Sequence, residues 1–153
     1  MKTISDTTHI QSQPDVVWQI LTGFGAYPDW NPFITQASGD IQVGQRLTLT
    51  IVPPGGGGMT FRPRVTAFEH GHVLEWSGTL GIPGLFDGRH TFILEPSAGG
   101  TTLTQKEAFT GLLVPLSARM LLRTKRGFKN MNDALQNRAD SLPATTVRPA
   151  VTE

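Results

Sequence analysis

Apolar residues recur at helical spacing between Pro115 and Leu142, and at alternate positions through much of the chain before it. Winding residues 115–142 at about 100° per residue puts Leu116, Met120, Leu121, Thr124, Gly127, Phe128, Met131, Leu135 and Ala139 on one side. Arg119, Arg123, Lys125, Arg126, Lys129 and Asp133 fall on the other. Pro115 suits a first helical turn, where its missing N–H has no partner to lose, and Pro143 stops any continuation. The pattern predicts one amphipathic helix of about 28 residues, roughly 40 Å long, with an apolar arc broad enough to lie on a sheet. Thr124 and Gly127 stand on that arc where Leu or Ile would pack better. An interior glycine costs about 1 kcal/mol against alanine, so its small size has a use. Either another element approaches closely, or a hollow is kept for a ligand.

Before this helix the period changes. Thr3 to Gln11 reads as a strand, and Ser12 as an N-cap with Asp15 in a capping-box position. Val16, Val17, Ile20 and Leu21 give a short helix its buried side. A second brief helix or turn carries Tyr27 to Trp30 and ends at Asn31-Pro32, because a residue before proline is pushed out of the helical region. Period-two alternation follows, predicting strands over 33–38, 47–51, 61–68, 73–79, 89–95 and 101–110. The Pro53 to Gly58 stretch is a loop; with no Gly-Lys-Ser/Thr after it, it is not a phosphate cradle. Strands in series with helices set apart predict an α+β fold. A curved antiparallel sheet of six to seven strands wraps a long C-terminal helix, with two short helices after the first strand. One domain is expected over residues 1–143, followed by a polar, proline-broken mobile tail over 144–153.

Composition narrows the classes of function. The 153 residues carry a net charge of +1, which gives no reason to expect nucleic acid. The predicted helix nevertheless gathers six of the thirteen basic residues, a stripe that suits a solvated face. There is no cysteine, hence no disulfide, thiol nucleophile or thiolate metal site. No apolar run approaches the roughly 18 residues of a membrane span, and there is no charged-then-apolar leader, so a cytoplasmic protein without integral membrane association is expected. His70 and His72 beside Glu69 lack a third ligand, and neither a metal nor another cofactor is expected. Oligomeric state is not readable.

The segment ISDTTHIQSQPDVVW at residues 4–18 resembles the opening strand and first helix of the START/Bet v 1-like superfamily of helix-grip domains, also called SRPBCC. Trp30-Asn31-Pro32-Phe33, Phe86-Asp87-Gly88-Arg89-His90-Thr91-Phe92, Gly100-Thr101-Thr102 and Gly127-Phe128 resemble a bacterial polyketide cyclase/dehydratase-like subgroup of it. So does the run containing Gln105, Glu107, Phe109 and Gly111. The resemblance spans about residues 3–142. It implies a cavity between sheet and long helix that holds a small apolar or amphipathic molecule, with catalysis in some members.

Candidate chemistry centres on the last hairpin. A four-residue loop at 97–100 pairs Pro96 with Thr101, which sets Leu94 opposite Leu103, Phe92 opposite Gln105, and His90 opposite Glu107. A slip by one residue would turn Phe109 out to solvent, so the register is well specified. His90 and Glu107 then share the inner face with Cβ atoms about 5 Å apart. Such a pair fits three roles: a satisfied polar contact that holds the sheet, a ligand contact, or a catalytic acid–base dyad. The expected ligand-binding residues are Met120, Thr124 and Gly127 from the helix, and Trp76, His90, Phe92, Gln105, Glu107 and Phe109 from the strands. Trp30, Asn31, Phe33 and Phe86 join them at a cavity mouth. Three functions compete: a carrier or sensor of a small hydrophobic ligand, a metal-free cyclase or dehydratase using His90 and Glu107, and an interaction module with a filled core.

Overall fold

In a computed structural model that describes residues 1–142, the alternating segments form eight strands and the helical patterns three α-helices. The expected mobile tail over 144–153 lies outside the described residues. β1 (Lys2–Ile10) is followed by α1 (Pro14–Thr22), a 3-10 turn at Phe24–Ala26 and α2 (Tyr27–Trp30). Then come β2 (Ile34–Ser38), β3 (Thr48–Ile51), β4 (Met59–Phe61), β5 (Arg64–Glu69), β6 (Val73–Thr79), β7 (Asp87–Ser97) and β8 (Gly100–Thr110). A 3-10 turn at Val114–Leu116 leads into α3 (Ala118–Ser141).

All pairing is antiparallel. Five strands form one sheet in the order β1-β8-β7-β6-β5, and three form another in the order β2-β3-β4. The chain before β3 stitches the two together: Leu47 N–H donates to the Pro63 carbonyl, and Val65 N–H to the Gln45 carbonyl, each at 2.9 Å. This is the expected α+β helix-grip arrangement. α3 lies along β1, where Asn132 Nδ2 donates to Asp6 Oδ2 at 2.8 Å and Gln136 Nε2 to the His9 carbonyl at 3.1 Å.

Three local expectations are corrected. The strand expected over 61–68 is two strands, because Pro63 has no N–H for a ladder and its carbonyl is taken by Leu47. Pro115 belongs to the 3-10 turn rather than to the first turn of α3; the Ser117 hydroxyl bonds back to the Val114 carbonyl at 2.6 Å instead of capping the helix. Gln13, not Ser12, precedes α1, and the Ser12 carbonyl accepts a hydrogen bond from Thr101 Oγ1 at 2.7 Å. α3 runs unbroken through Gly127.

The buried apolar side chains fall into two clusters. The larger joins α1, α2, both sheets and the C-terminal half of α3, through Phe128, Met131, Leu135 and Ala139. The smaller comprises Phe86, Phe109, Val114 and Leu121, with Met120 packed against it.

Candidate functional site

A cavity of about 500 Å³ is lined by members of both clusters, and it lies within the usual range for a small-molecule pocket. Phe33, Leu49 and Trp76 contribute from the larger cluster and its margin; Phe86, Phe109 and Met120 contribute from the smaller. The N-terminal half of α3 covers it, with Ser117, Arg119, Arg123 and Thr124 on the wall. β3, β4 and the glycine loop after Pro53 close another side through Ile51, Met59 and Phe61. Exposed Met59, Leu80 and Leu116 also line it and mark where it meets solvent.

The sheet contributes two glycines to the wall of the hollow. Side chains alternate along β6 and β7, so Gly78 lies on the face of Trp76, and Gly88 on the face of His90. The two strands pair with Gly78 opposite Gly88, and β8 sets Phe109 beside Gly88. Two neighbouring inward positions therefore carry no side chain, and both glycines line the cavity. Gly127 does not line it. A Cβ there would overlap the Phe33 ring, so this glycine serves the close approach of another element. Its expected place among the ligand-binding residues is corrected on that ground.

Register places the polar pair as the alternation predicts, with His90 opposite Glu107, Phe92 opposite Gln105 and Leu94 opposite Leu103. His90 is buried, stacked on Trp76 with ring centroids 5.1 Å apart and planes 12° apart. The Gln105 amide Nε2 donates to His90 Nε2 at 3.1 Å, and the same NH2 group lies 3.6 Å from Met131 Sδ. With Nε2 accepting, the imidazole proton sits on Nδ1 and points to Glu107 Oε2 at 3.3 Å. Glu107 lines the cavity while His90, Gln105 and Phe92 stand behind the wall. The pair thus works in series: His90 holds the carboxylate, and the carboxylate faces the hollow.

Of the thirteen expected ligand-binding residues, Phe33, Trp76, Phe86, Glu107, Phe109, Met120 and Thr124 line the cavity. Trp30 and Asn31 do not. Trp30 packs edge-on against Tyr27 at 5.2 Å. Asn31 Oδ1 accepts from the N–H groups of Phe33 and Ile34 at 3.0 and 2.9 Å, fixing the turn into β2. Phe92 is core beneath Trp76 at 5.5 Å. Sequence reasoning missed the far wall around Met59 and Phe61, and it missed Arg119 and Arg123, whose helical positions read as solvated. The signal for Gly78 and Gly88 was present, since both fall in the inward alternation of their strands. His72 Nδ1 lies 2.7 Å from the Leu94 carbonyl, and His70 packs edge-on against Trp18, so neither faces the cavity.

Residues 1–140 match the family described as "Polyketide cyclase / dehydrase and lipid transport". No curated protein matches the sequence significantly. Among solved structures, the chain is similar to protein MLL2253 from Mesorhizobium loti, with 23% identity and a TM-score of 0.74 over 93% of this chain and 99% of that one. It is similar to Ara h 8.0201, with 16% identity and a TM-score of 0.71 over 92% and 99% of the two chains. It is also similar to the di-domain ARO/CYC StfQ from the steffimycin biosynthetic pathway, with 16% identity and a TM-score of 0.71 over 90% of this chain and 50% of that one. At these identities the likeness concerns the fold. Among the described residues, no helix is long and apolar enough to cross a membrane.

Proposed function

The chain belongs to the polyketide cyclase/dehydrase and lipid transport family, and from that premise we propose that it binds a small hydrophobic molecule between the sheet and α3, as a carrier or sensor. The observation that carries this reading is the cavity of about 500 Å³, set between two packed clusters and walled mainly by aromatic and aliphatic side chains. Apolar surface left facing such a hollow forgoes about 25 cal/mol per Å² of burial, which an apolar ligand restores. The cavity also argues against the filled-core interaction module.

A second reading, a cyclase or dehydratase, is favoured by Glu107. In it the carboxylate removes a proton from substrate carbon, with His90 as the group that holds it in place. It needs turnover, whereas the carrier reading needs binding alone.

The test uses the dye 1-anilinonaphthalene-8-sulfonate. Its fluorescence should rise on binding the native protein. Thr124→Leu, which extends a side chain into the cavity from a better helix former, should weaken that binding at least about tenfold without loss of fold. Unchanged dye binding in this variant, or none in the native protein, would remove the support for a ligand cavity.

A further inference from the structure

Among the described residues, six of the eleven large apolar side chains that stand exposed are Leu80, Ile82, Leu112, Leu113, Leu116 and Leu122. They come from the loop between β6 and β7, the turns after β8 and the start of α3. Ile82 is 66% exposed, Leu112 77% and Leu116 84%. Apolar side chains gathered in this way mark a surface that something covers.

The segments that carry them are braced against each other. Leu112 N–H donates to the Gly84 carbonyl at 3.1 Å, and Leu113 N–H to the Leu85 carbonyl at 2.9 Å. Gly111 permits this contact, since a Cβ there would overlap the Leu85 carbonyl. Phe86 and Val114 turn inward from the same two segments into the smaller buried cluster. With the backbone tied and these side chains anchored, Ile82, Leu112 and Leu113 are presented to solvent.

The charge beside them has one sign. Residues 80–86 carry no charged side chain, and residues 111–126 carry Arg119, Arg123, Lys125 and Arg126 with no Asp or Glu. At about 100° per residue, Arg119, Leu122, Arg123 and Arg126 share one side of α3. Among the described residues the ion pairs are Arg89–Glu75, His90–Glu107 and Lys129–Asp133, so none of these four basic groups has a carboxylate partner. Asp87, at the foot of the β6–β7 loop, already accepts from the Thr79 hydroxyl at 2.8 Å and from Gly84 N–H at 2.9 Å.

A second copy on this face would set like charges against each other. The occupant that fits is both apolar and anionic, and the headgroup layer of an anionic bilayer is both. Position agrees, because Leu80 and Leu116 belong to the exposed patch and also to the cavity wall. Apolar surface therefore runs without a break from the loops into the hollow.

We infer that this end of the molecule docks on an anionic membrane surface. Ile82, Leu112, Leu113 and Leu116 enter the headgroup layer, while Arg119, Arg123 and Arg126 meet lipid phosphates. The docking surface does not depend on what the cavity holds.

The test is flotation with vesicles of phosphatidylcholine alone and of phosphatidylcholine with an equal part of phosphatidylglycerol. The native protein should bind the anionic vesicles at least about tenfold more tightly than the neutral ones, and less tightly as salt is raised. Two double variants, checked for fold by circular dichroism, divide the contributions. Ile82→Ser with Leu112→Ser, which leaves charge and cavity wall unchanged, should weaken anionic binding at least about tenfold. Arg119→Gln with Arg126→Gln should do the same. Val43→Ser, at an exposed apolar position elsewhere, should bind as the native protein does. Retained binding in the Ile82/Leu112 variant would reduce the contact to charge alone and overturn the inference. So would equal binding to both kinds of vesicle, or none to either. A self-association seen by sedimentation velocity and abolished by the Ile82/Leu112 variant, without vesicle binding, would give the face to a second copy and overturn it as well. None of these failures touches dye binding in the cavity, which is measured without vesicles.

Discussion

The ring of Phe33 lies in the space that a side chain at Gly127 would need. It also meets Phe128 edge-on at 5.7 Å, so β2's entry and α3 are locked together at one point. Gly127→Ala should therefore lower stability by about 1–2 kcal/mol in denaturant melts, the overpacking outweighing alanine's helix advantage. Combining it with Phe33→Leu should give less than the sum of the two losses, because the sites share one contact. A Gly127→Ala protein more stable than the native one would contradict this packing.

His90 links Trp76, Gln105 and Glu107. Removing its side chain leaves a void against Trp76 and takes the donor from Glu107 Oε2. His90→Ala should cost about 2–4 kcal/mol in unfolding free energy, and restoring a donor with His90→Asn should recover part of it. A loss below about 0.5 kcal/mol, the scale of a surface change, would mean the network adds nothing to the fold.

Tyr27 is the single tyrosine of the chain. It is fully buried and donates its hydroxyl to the Leu21 carbonyl at 2.5 Å. Burial pushes its phenol far above the usual range. A group whose folded pKa is raised contributes stability that is intact below its unfolded value, about 10, and is lost as pH rises above it. Tyrosinate absorbance should accordingly appear together with alkaline unfolding, not before it. Tyr27→Phe should flatten the fall in stability above pH about 10 at a cost of about 1 kcal/mol at neutral pH. A tyrosinate signal from protein that is still folded would refute the burial.

How much of this was legible in the sequence depended on how local each contact was. The His90–Glu107 register followed from strand alternation and a short turn, both contained within some twenty residues. The strand break at Pro63 was legible in principle, since proline cannot donate to a ladder. Gly127 was ambiguous because the side chain that needs its space belongs to Phe33, on a distant element. Gly78 and Gly88 each showed as inward residues of their own strands. Their meeting depends on pairing across the loop from Leu80 to Phe86, whose length sets no register. The polar stripe of α3 hid Arg119 and Arg123, because nothing in helical periodicity tells where a covering helix overhangs an opening.

Amide chemical-shift mapping with 2-naphthol tests the ligand cavity most directly. The account predicts saturable shifts centred on Gly78, Gly88, Glu107 and Thr124, with the C-terminal half of α3 around Leu135 and Ala139 unmoved. Shifts spread over the outer face of the sheet, or none at saturating probe, would contradict it.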